Sequence, residues 1–300
     1  MLNDKLKNYL HLHFIVFIWG FTAVLGALIS IDAIPLVWYR MGLAVLFISF
    51  YIAWKRFDMH VPRRYLWTMV IAGGVIALHW VTFFMAIKVS NVSVTLATIS
   101  TGAFFTAILE PIWYKRKFIW YEFLFGLLVI AGLAVIFRVE TQYVGGIVLA
   151  LISALLSAVF SLINGRLAQQ FRPSVVSFYE LGSGVLFITI YLLARGRFDA
   201  SFFQLQPNDW IFLIILASVC TAYAFIASVK VMKFISPYTV MLTINMEPVY
   251  GILLAFFILG SKEEMSSGFY FGALVILSTV VANGILKNSL KRKTTVKGAE

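Results

Sequence analysis

Glu247 is followed by Pro248 inside an apolar run of about residues 237 to 259, and no other carboxyl lies so far from both ends of its run. At 1.5 Å per residue it stands roughly 15 Å into a helix, about half of the ~30 Å thickness of a hydrocarbon layer. A charged group at that depth costs about 2.5–3.5 kcal/mol, so the carboxyl must face the protein interior, where it suits binding a polar group or carrying a proton. Pro248 removes a backbone donor and frees a carbonyl about one turn back, near Thr243, to line a cavity. The plainer alternative is a neutral glutamate that joins neighbouring helices by a hydrogen bond. Depth and the adjacent proline together favour the functional reading.

Four more charged or imidazole side chains lie at least four residues inside their apolar runs: Arg40, His79, Glu110 and Glu180. Glu110-Pro111 repeats the Glu247-Pro248 dipeptide, but only about four residues from the end of its run, within reach of interfacial water or at one mouth of a polar stripe. Arg40 lies roughly 8 Å inside the opposite face, from which a long side chain can snorkel outwards. Glu180 lies near the other face, so the two form a candidate gating pair of opposite charge, with local pairing to backbone carbonyls as the more economical account. His79, followed by Trp80, reads more readily as a satisfied buried histidine than as a proton relay.

Enzyme signatures are missing. All five aspartates (Asp4, Asp32, Asp58, Asp199, Asp209) fall outside the apolar runs, and there is no His-Glu-x-x-His, Gly-x-Ser-x-Gly or Walker A pattern. A potassium-type selectivity filter is also missing. The single cysteine, Cys220, excludes an intrachain disulfide and a Cys-x-x-Cys metal site. No catalytic residue, metal ligand or cofactor is expected, and the chain is read as not an enzyme.

The elements that position these residues are helices. The 300 residues are 61% apolar and 12% charged, with mean hydropathy +0.93, against roughly 25% charged residues in a soluble domain. Runs long enough to cross a bilayer span about 10–30, 35–54, 66–87, 92–114, 119–137, 143–165, 174–194, 210–229, 237–259 and 267–286. They are continuous and about twice the length of barrel strands, which predicts an all-α membrane protein with ten transmembrane helices. The first run has no convincing cleavage site and reads as a retained helix. Polar stripes mark interior faces: Ser153, Ser157, Ser161 and Asn164 in one run; Thr95, Thr98, Gly102, Thr106 and Glu110 in another; Thr239, Thr243, Glu247 and Gly251 in a third.

A net charge of +11 suggests an anionic partner until the basic residues are placed. Of the 24 Lys and Arg residues, eighteen fall beside the termini and even-numbered connections, five on the other side, and Arg40 within a span. That bias is a topology signal, which places both termini in the cytoplasm, and no nucleic-acid partner is implied.

The chain also repeats itself. Tyr39 to Tyr51 reads YRMGLAVLFISFY and returns as YELGSGVLFITIY from Tyr179 to Tyr191; Phe123 to Ile130 reads FLFGLLVI and returns as FYFGALVI from Phe269 to Ile276. The polar stretch Glu140-Thr141-Gln142 separates a first half, residues 1–140, from a second, 141–300. With five spans in each, the second half must enter the bilayer in the opposite sense, giving two inverted five-helix repeats of the kind secondary transporters use.

Trp19-Gly20, Pro35 with Arg40, Lys233 to Pro237 (KFISP), Glu247-Pro248 and the Gly126 and Gly272 repeats, in this order, resemble an EamA-type member of the drug/metabolite transporter superfamily over about residues 10 to 287. The resemblance implies secondary transport, often export, of amino acids or other small metabolites through a central cavity. Carried over by position, that cavity includes Trp19, His79, Thr98, Ser157, Tyr223 and Glu247. Two positions depart from the pattern: Lys117 stands where the family usually has a loop glutamate, and alignment on Gly126 and Gly272 sets Thr101-Gly102, not Glu110-Pro111, opposite Glu247-Pro248. The expectation is therefore a permease of a bacterial inner membrane, with a small-molecule substrate, the lipid bilayer and protons as its partners. Its rival is a non-transporting polytopic protein, an intramembrane enzyme or a helical scaffold.

Overall fold

In the computed structural model, residues 4–115, 120–235, 240, 243, 244 and 246–297 are described, and among them there is helix and no strand. Twelve helices can be named: α1 (Asp4–Leu28), α2 (Ala33–Lys55), α3 (Arg63–Val89), α4 (Val92–Ile99), α5 (Gly102–Tyr114), α6 (Trp120–Val139), α7 (Val144–Leu167), α8 (Pro173–Ala194), α9 (Pro207–Ala217), α10 (Ala224–Val231), α11 (Glu247–Leu259) and α12 (Ser267–Lys297). Among the described residues, seven segments are long and apolar enough to cross a membrane: 6–28, 33–55, 63–89, 92–114, 141–167, 173–194 and 207–231. Of the other expected spans, 119–137 falls on α6, 267–286 on the first part of α12, and only the second half of 237–259 on α11; none of these is among the seven. Lys117, Ser236, Pro237 and Thr239 lie outside the described residues.

Local sequence sets the helix ends. Asn91 caps α4 by accepting from the Val94 N–H at 2.8 Å. Pro173 and Pro207 open α8 and α9, where a missing N–H costs nothing. Arg56 closes α2 in a left-handed conformation (φ 51°).

Two of the expected continuous helices are interrupted. The run 92–114 breaks at Ser100-Thr101 into α4 and α5. There the Ser100 hydroxyl donates to Ala97 O (2.5 Å) and the Thr101 hydroxyl to Thr98 O (2.8 Å), local bonds that compete with the helical ladder. The run 210–229 contains a π-helical stretch, Ser218–Tyr223, between α9 and α10. Thr221 supports it by donating to Leu216 O at 2.6 Å, five residues back. Near Glu247 the backbone also turns, the Met246 N–H bonding Thr243 O at 2.9 Å just before α11 begins.

Helix pairing follows small residues. A Cβ on Gly132 would stand 2.9 Å from Gly272 O, and one on Gly272 would stand 2.8 Å from Gly132 O, so α6 and α12 meet backbone to backbone. Gly73 on α3 similarly lies against the Glu180 carbonyl of α8. Large apolar side chains such as Phe50, Trp54, Ile71 and Phe257 face outwards, as a lipid-facing surface requires.

One end of the bundle is tied by buried carboxylates. Asp209 accepts from Ser30 through both its backbone N–H (2.7 Å) and its hydroxyl (2.5 Å). Glu263 accepts from the Val92 and Ser93 N–H groups at 3.0 and 2.8 Å, where the N-terminus of α4 favours negative charge. Glu140 accepts from the Ser266 hydroxyl at 2.6 Å. Hydrogen bonds to charged groups contribute about 1.5–3 kcal/mol each. Asp209→Ala removes two such bonds and is therefore expected to destabilise the folded protein by roughly 3 kcal/mol or more, read as a lower melting temperature in detergent. Glu264→Ala, at an exposed neighbouring position, is expected to stay within about 0.5 kcal/mol of the parent.

Candidate functional site

Where the interrupted helices meet α1, α2, α3 and α7 there is a cavity of about 100 Å³. Trp19 and Thr22 reach it from α1, Arg40 from α2, and Ile76, His79, Trp80 and Phe83 from α3. Ile99 and Ser100 line it at the break after α4, and Ser157, Phe160 and Ser161 from α7. Phe225 and Ser228 come from α10, and Glu247 with Pro248 from the start of α11. Most of the wall is aromatic or aliphatic, with hydroxyls spaced along it, one guanidinium and one carboxyl.

Arg40 is 2% exposed. The side chain does not snorkel outwards: it turns inwards, where three interior partners hold it. Its Nε donates to Thr221 Oγ1 at 2.7 Å; its guanidinium carbon sits 3.8 Å from the Trp80 ring centroid and 5.5 Å from that of Phe84. Such cation–π contacts stabilise a desolvated cation by about 2 kcal/mol. Nη1 is left without a hydrogen-bond partner. Glu247 is near enough to interact electrostatically with Arg40, and no hydrogen bond to its carboxyl is found among the described residues. His79 is tethered, its Nδ1 lying 2.9 Å from Ser153 O and 2.8 Å from Ser153 Oγ, which leaves the ring edge towards the cavity.

Trp19, His79, Ser157, Glu247, Pro248 and Arg40 are thus brought together. Tyr223 is not. It is 44% exposed and bonds His11 Nε2 at 2.8 Å, because the π-helical stretch ending at Tyr223 shifts the register, and Phe225 and Ser228 face inwards instead. Thr98 and Thr243 are buried beside the cavity rather than on its wall, with the neighbours Ile99 and Ile244 lining it. Glu110 lies on α5, away from the cavity lining. Glu180 is fully buried on α8, away from that lining too. Sequence reasoning missed Thr22, Ser100, Trp80 and the α10 residues. Ser161 was legible as a member of the α7 stripe.

These features define a multi-pass helical membrane protein built around an internal, partly polar cavity. The EamA-like transporter family matches residues 7–138 and again 144–284, and the chain belongs to that family, hence to the drug/metabolite transporter superfamily. A relative described as an "Uncharacterized transporter" from Archaeoglobus fulgidus is 20% identical over 286 residues, covering 93% of this chain and 97% of that one. A crystal structure 15% identical covers 94% of this chain and 98% of its own with TM-score 0.69, which shows a shared fold. The protein is a transporter of this type.

In a Cys220→Ser background, cysteines placed at Ser157 and Ser228 are expected to react with small water-soluble thiol reagents, while cysteines at Thr95 and Thr98 stay unreactive. Equal reactivity at all four positions would mean that water does not follow the cavity.

Proposed function

We propose that this transporter is a secondary permease that moves a small organic metabolite, such as an amino acid, by alternating access between two inverted five-helix halves, residues 1–140 and 141–300. The observation that carries the reading is the cavity itself, lined from both family-matched segments. It offers an unpartnered guanidinium nitrogen on Arg40 and the Glu247 carboxyl within an aromatic wall. An amphiphilic solute with one anionic group fits such a wall better than a polyanion does. Membership of a transporter family favours this over an intramembrane enzyme or scaffold.

Helix pairing supports the inverted repeat. If α4 with α5 is the fourth span and α9 with α10 the eighth, a two-fold exchange of halves relates the most extensive contacts to one another. The first span against the ninth becomes the sixth against the fourth, and the third against the seventh becomes the eighth against the second. The fifth against the tenth, and the second against the seventh, map onto themselves. The restarts at Gly102 and Glu247 fall within one residue of the positions that alignment on Gly126 and Gly272 sets opposite each other. Discontinuous helices at a midplane site are the usual moving parts of such transporters.

In this reading Glu247 is the coupling carboxyl and Pro248 keeps its helix interrupted. Trp19, His79, Ser157 and Arg40 contact the solute, while Thr98 and Thr243 back the wall behind it. Tyr223 with His11, and Glu110 at the far end of α5, act at the cavity's approaches, and Glu180 acts in gating or coupling. Protons are the coupling ion, and the membrane is the bacterial inner membrane with both termini cytoplasmic.

A reporter fused after Glu300 is expected to be active only on the cytoplasmic side, and one inserted after Gly196 only on the outer side; matching readouts would remove the inverted repeat. Glu247→Gln preserves size and hydrogen bonding but fixes the neutral state, so it is expected to express and stay monodisperse while flux stops or loses its pH dependence. Proteoliposome uptake across a panel of labelled amino acids is the measurement. A parent-like pH profile in the variant would reduce Glu247 to an interhelical contact.

A further inference from the structure

Glu180 and Asn164 form a pair that the cavity does not explain. Both are 0% exposed. Asn164 Nδ2 on α7 donates to Glu180 Oε1 on α8 at 3.0 Å. The remaining acceptor atoms of the two side chains, Glu180 Oε2 and Asn164 Oδ1, are both buried without a partner. A carboxylate is an acceptor only, and an amide oxygen is an acceptor only, so an ionised Glu180 leaves two orphan acceptors and a buried charge. Each unsatisfied atom costs about 1–3 kcal/mol, more where charge is involved. A proton on Oε2 supplies the missing donor, and the amide that already holds Oε1 carries the missing acceptor. Both orphans are resolved by one proton.

Among the described residues no cation offers an alternative. The helices packed against α8 are α2, α3 and α10, with α7 joined through Asn164. They carry Tyr39, Arg40, Tyr51 and Lys55; Arg63, Arg64, Tyr65, His79 and Lys88; Lys230; and Arg166. α8 itself adds Tyr179, whose hydroxyl donates to Met59 O, and Tyr191. Among the described residues none of these makes a hydrogen bond or ion pair with the Glu180 carboxyl. Backbone closes over the position as well, since Gly73 of α3 packs directly on the Glu180 carbonyl.

We propose that Glu180 is a proton-binding site separate from the solute cavity, holding a proton on Oε2 that donates to Asn164 Oδ1 and closes an acid–amide ring between α7 and α8. Release of that proton to water leaves a carboxylate with a single bond in a dry interior, which favours a conformation that parts α7 from α8 and admits water. α7 transmits the change. Asn164 lies three residues beyond Ser161 on the face that also presents Ser157, and both serines line the cavity. The proton state of Glu180 thus sets the position of one cavity wall. This deepens the gating or coupling role proposed above for Glu180.

The test reads the proton directly, so it does not depend on a transported solute or on Glu247. Infrared difference spectra of the purified full-length protein in lipid nanodiscs, parent minus Glu180→Gln, are expected to show the carbonyl stretch of a protonated carboxylic acid at neutral pH. That band is expected to move down in heavy water and to shift in Asn164→Leu. Glu180→Gln retains an amide that can ring-pair with Asn164, so its fold is expected to survive. A difference spectrum with only carboxylate bands at neutral pH would overturn the proposal. As a second readout, thiol labelling of a cysteine at Ser157, with Cys220→Ser, is expected to vary with pH in the Glu180 protein and to be flat in Glu180→Gln. The same pH dependence in both would overturn the coupling to the wall.

Discussion

Hydrocarbon offers no hydrogen-bond partner, and the architecture follows from where the chain finds partners of its own. Helices satisfy each backbone group internally, which is why so apolar a sequence folds into helices. Where the ladder is interrupted, hydroxyls take its place: Ser100 on Ala97 O, Thr101 on Thr98 O, Thr221 on Leu216 O. These interruptions adjoin the cavity, and irregular backbone is tolerated at membrane depth only where protein or a water-filled cavity surrounds it. The same constraint explains the buried end, where Asp209, Glu263 and Glu140 bond N–H and hydroxyl groups that lie at helix starts or in the turns joining helices.

Burying Arg40 among aromatic rings is costly unless its charge is met. Thr221 and the Trp80 face meet it in part. Nη1 stays unpartnered, and it belongs to a side chain on the cavity wall. In the proposed reading, an anionic group entering there gains a charge-assisted bond without displacing one from the protein, and Glu247, which opposes this charge in the same space, disfavours a solute of high net charge of either sign.

Much of this was legible and some was not. Helical class and the α7 stripe follow from periodicity, and every member of that stripe has work: Ser153 holds His79, Ser157 and Ser161 line the cavity, Asn164 holds Glu180. Tyr223 was placed by its position in the family resemblance, and the π-helical stretch that ends there leaves it exposed instead. The inward turn of Arg40 escaped an argument from depth alone, because depth says how far a side chain must reach for water but not that a Trp face and a Thr hydroxyl lie nearer. The Asp209 clamp joins residues 179 apart in sequence, and a lone aspartate after a proline carries no trace of its distant partner.

Arg40 and Glu180 occupy equivalent places in the YRMG and YELG repeats. Duplicated helices begin with the same contacts, and each copy can then adjust only to its own neighbours. On α2 the position faces Thr221 and Trp80 and became the cavity's cation. On α8 it faces the Asn164 amide in a closed interior, where an arginine would have no acceptor beyond one amide oxygen. A protonatable acid is the group that such a pocket can satisfy in one state and not in the other. In the reading proposed above, the two halves differ in the chemistry of this shared position, so that a single chain separates recognition of a solute from response to a proton.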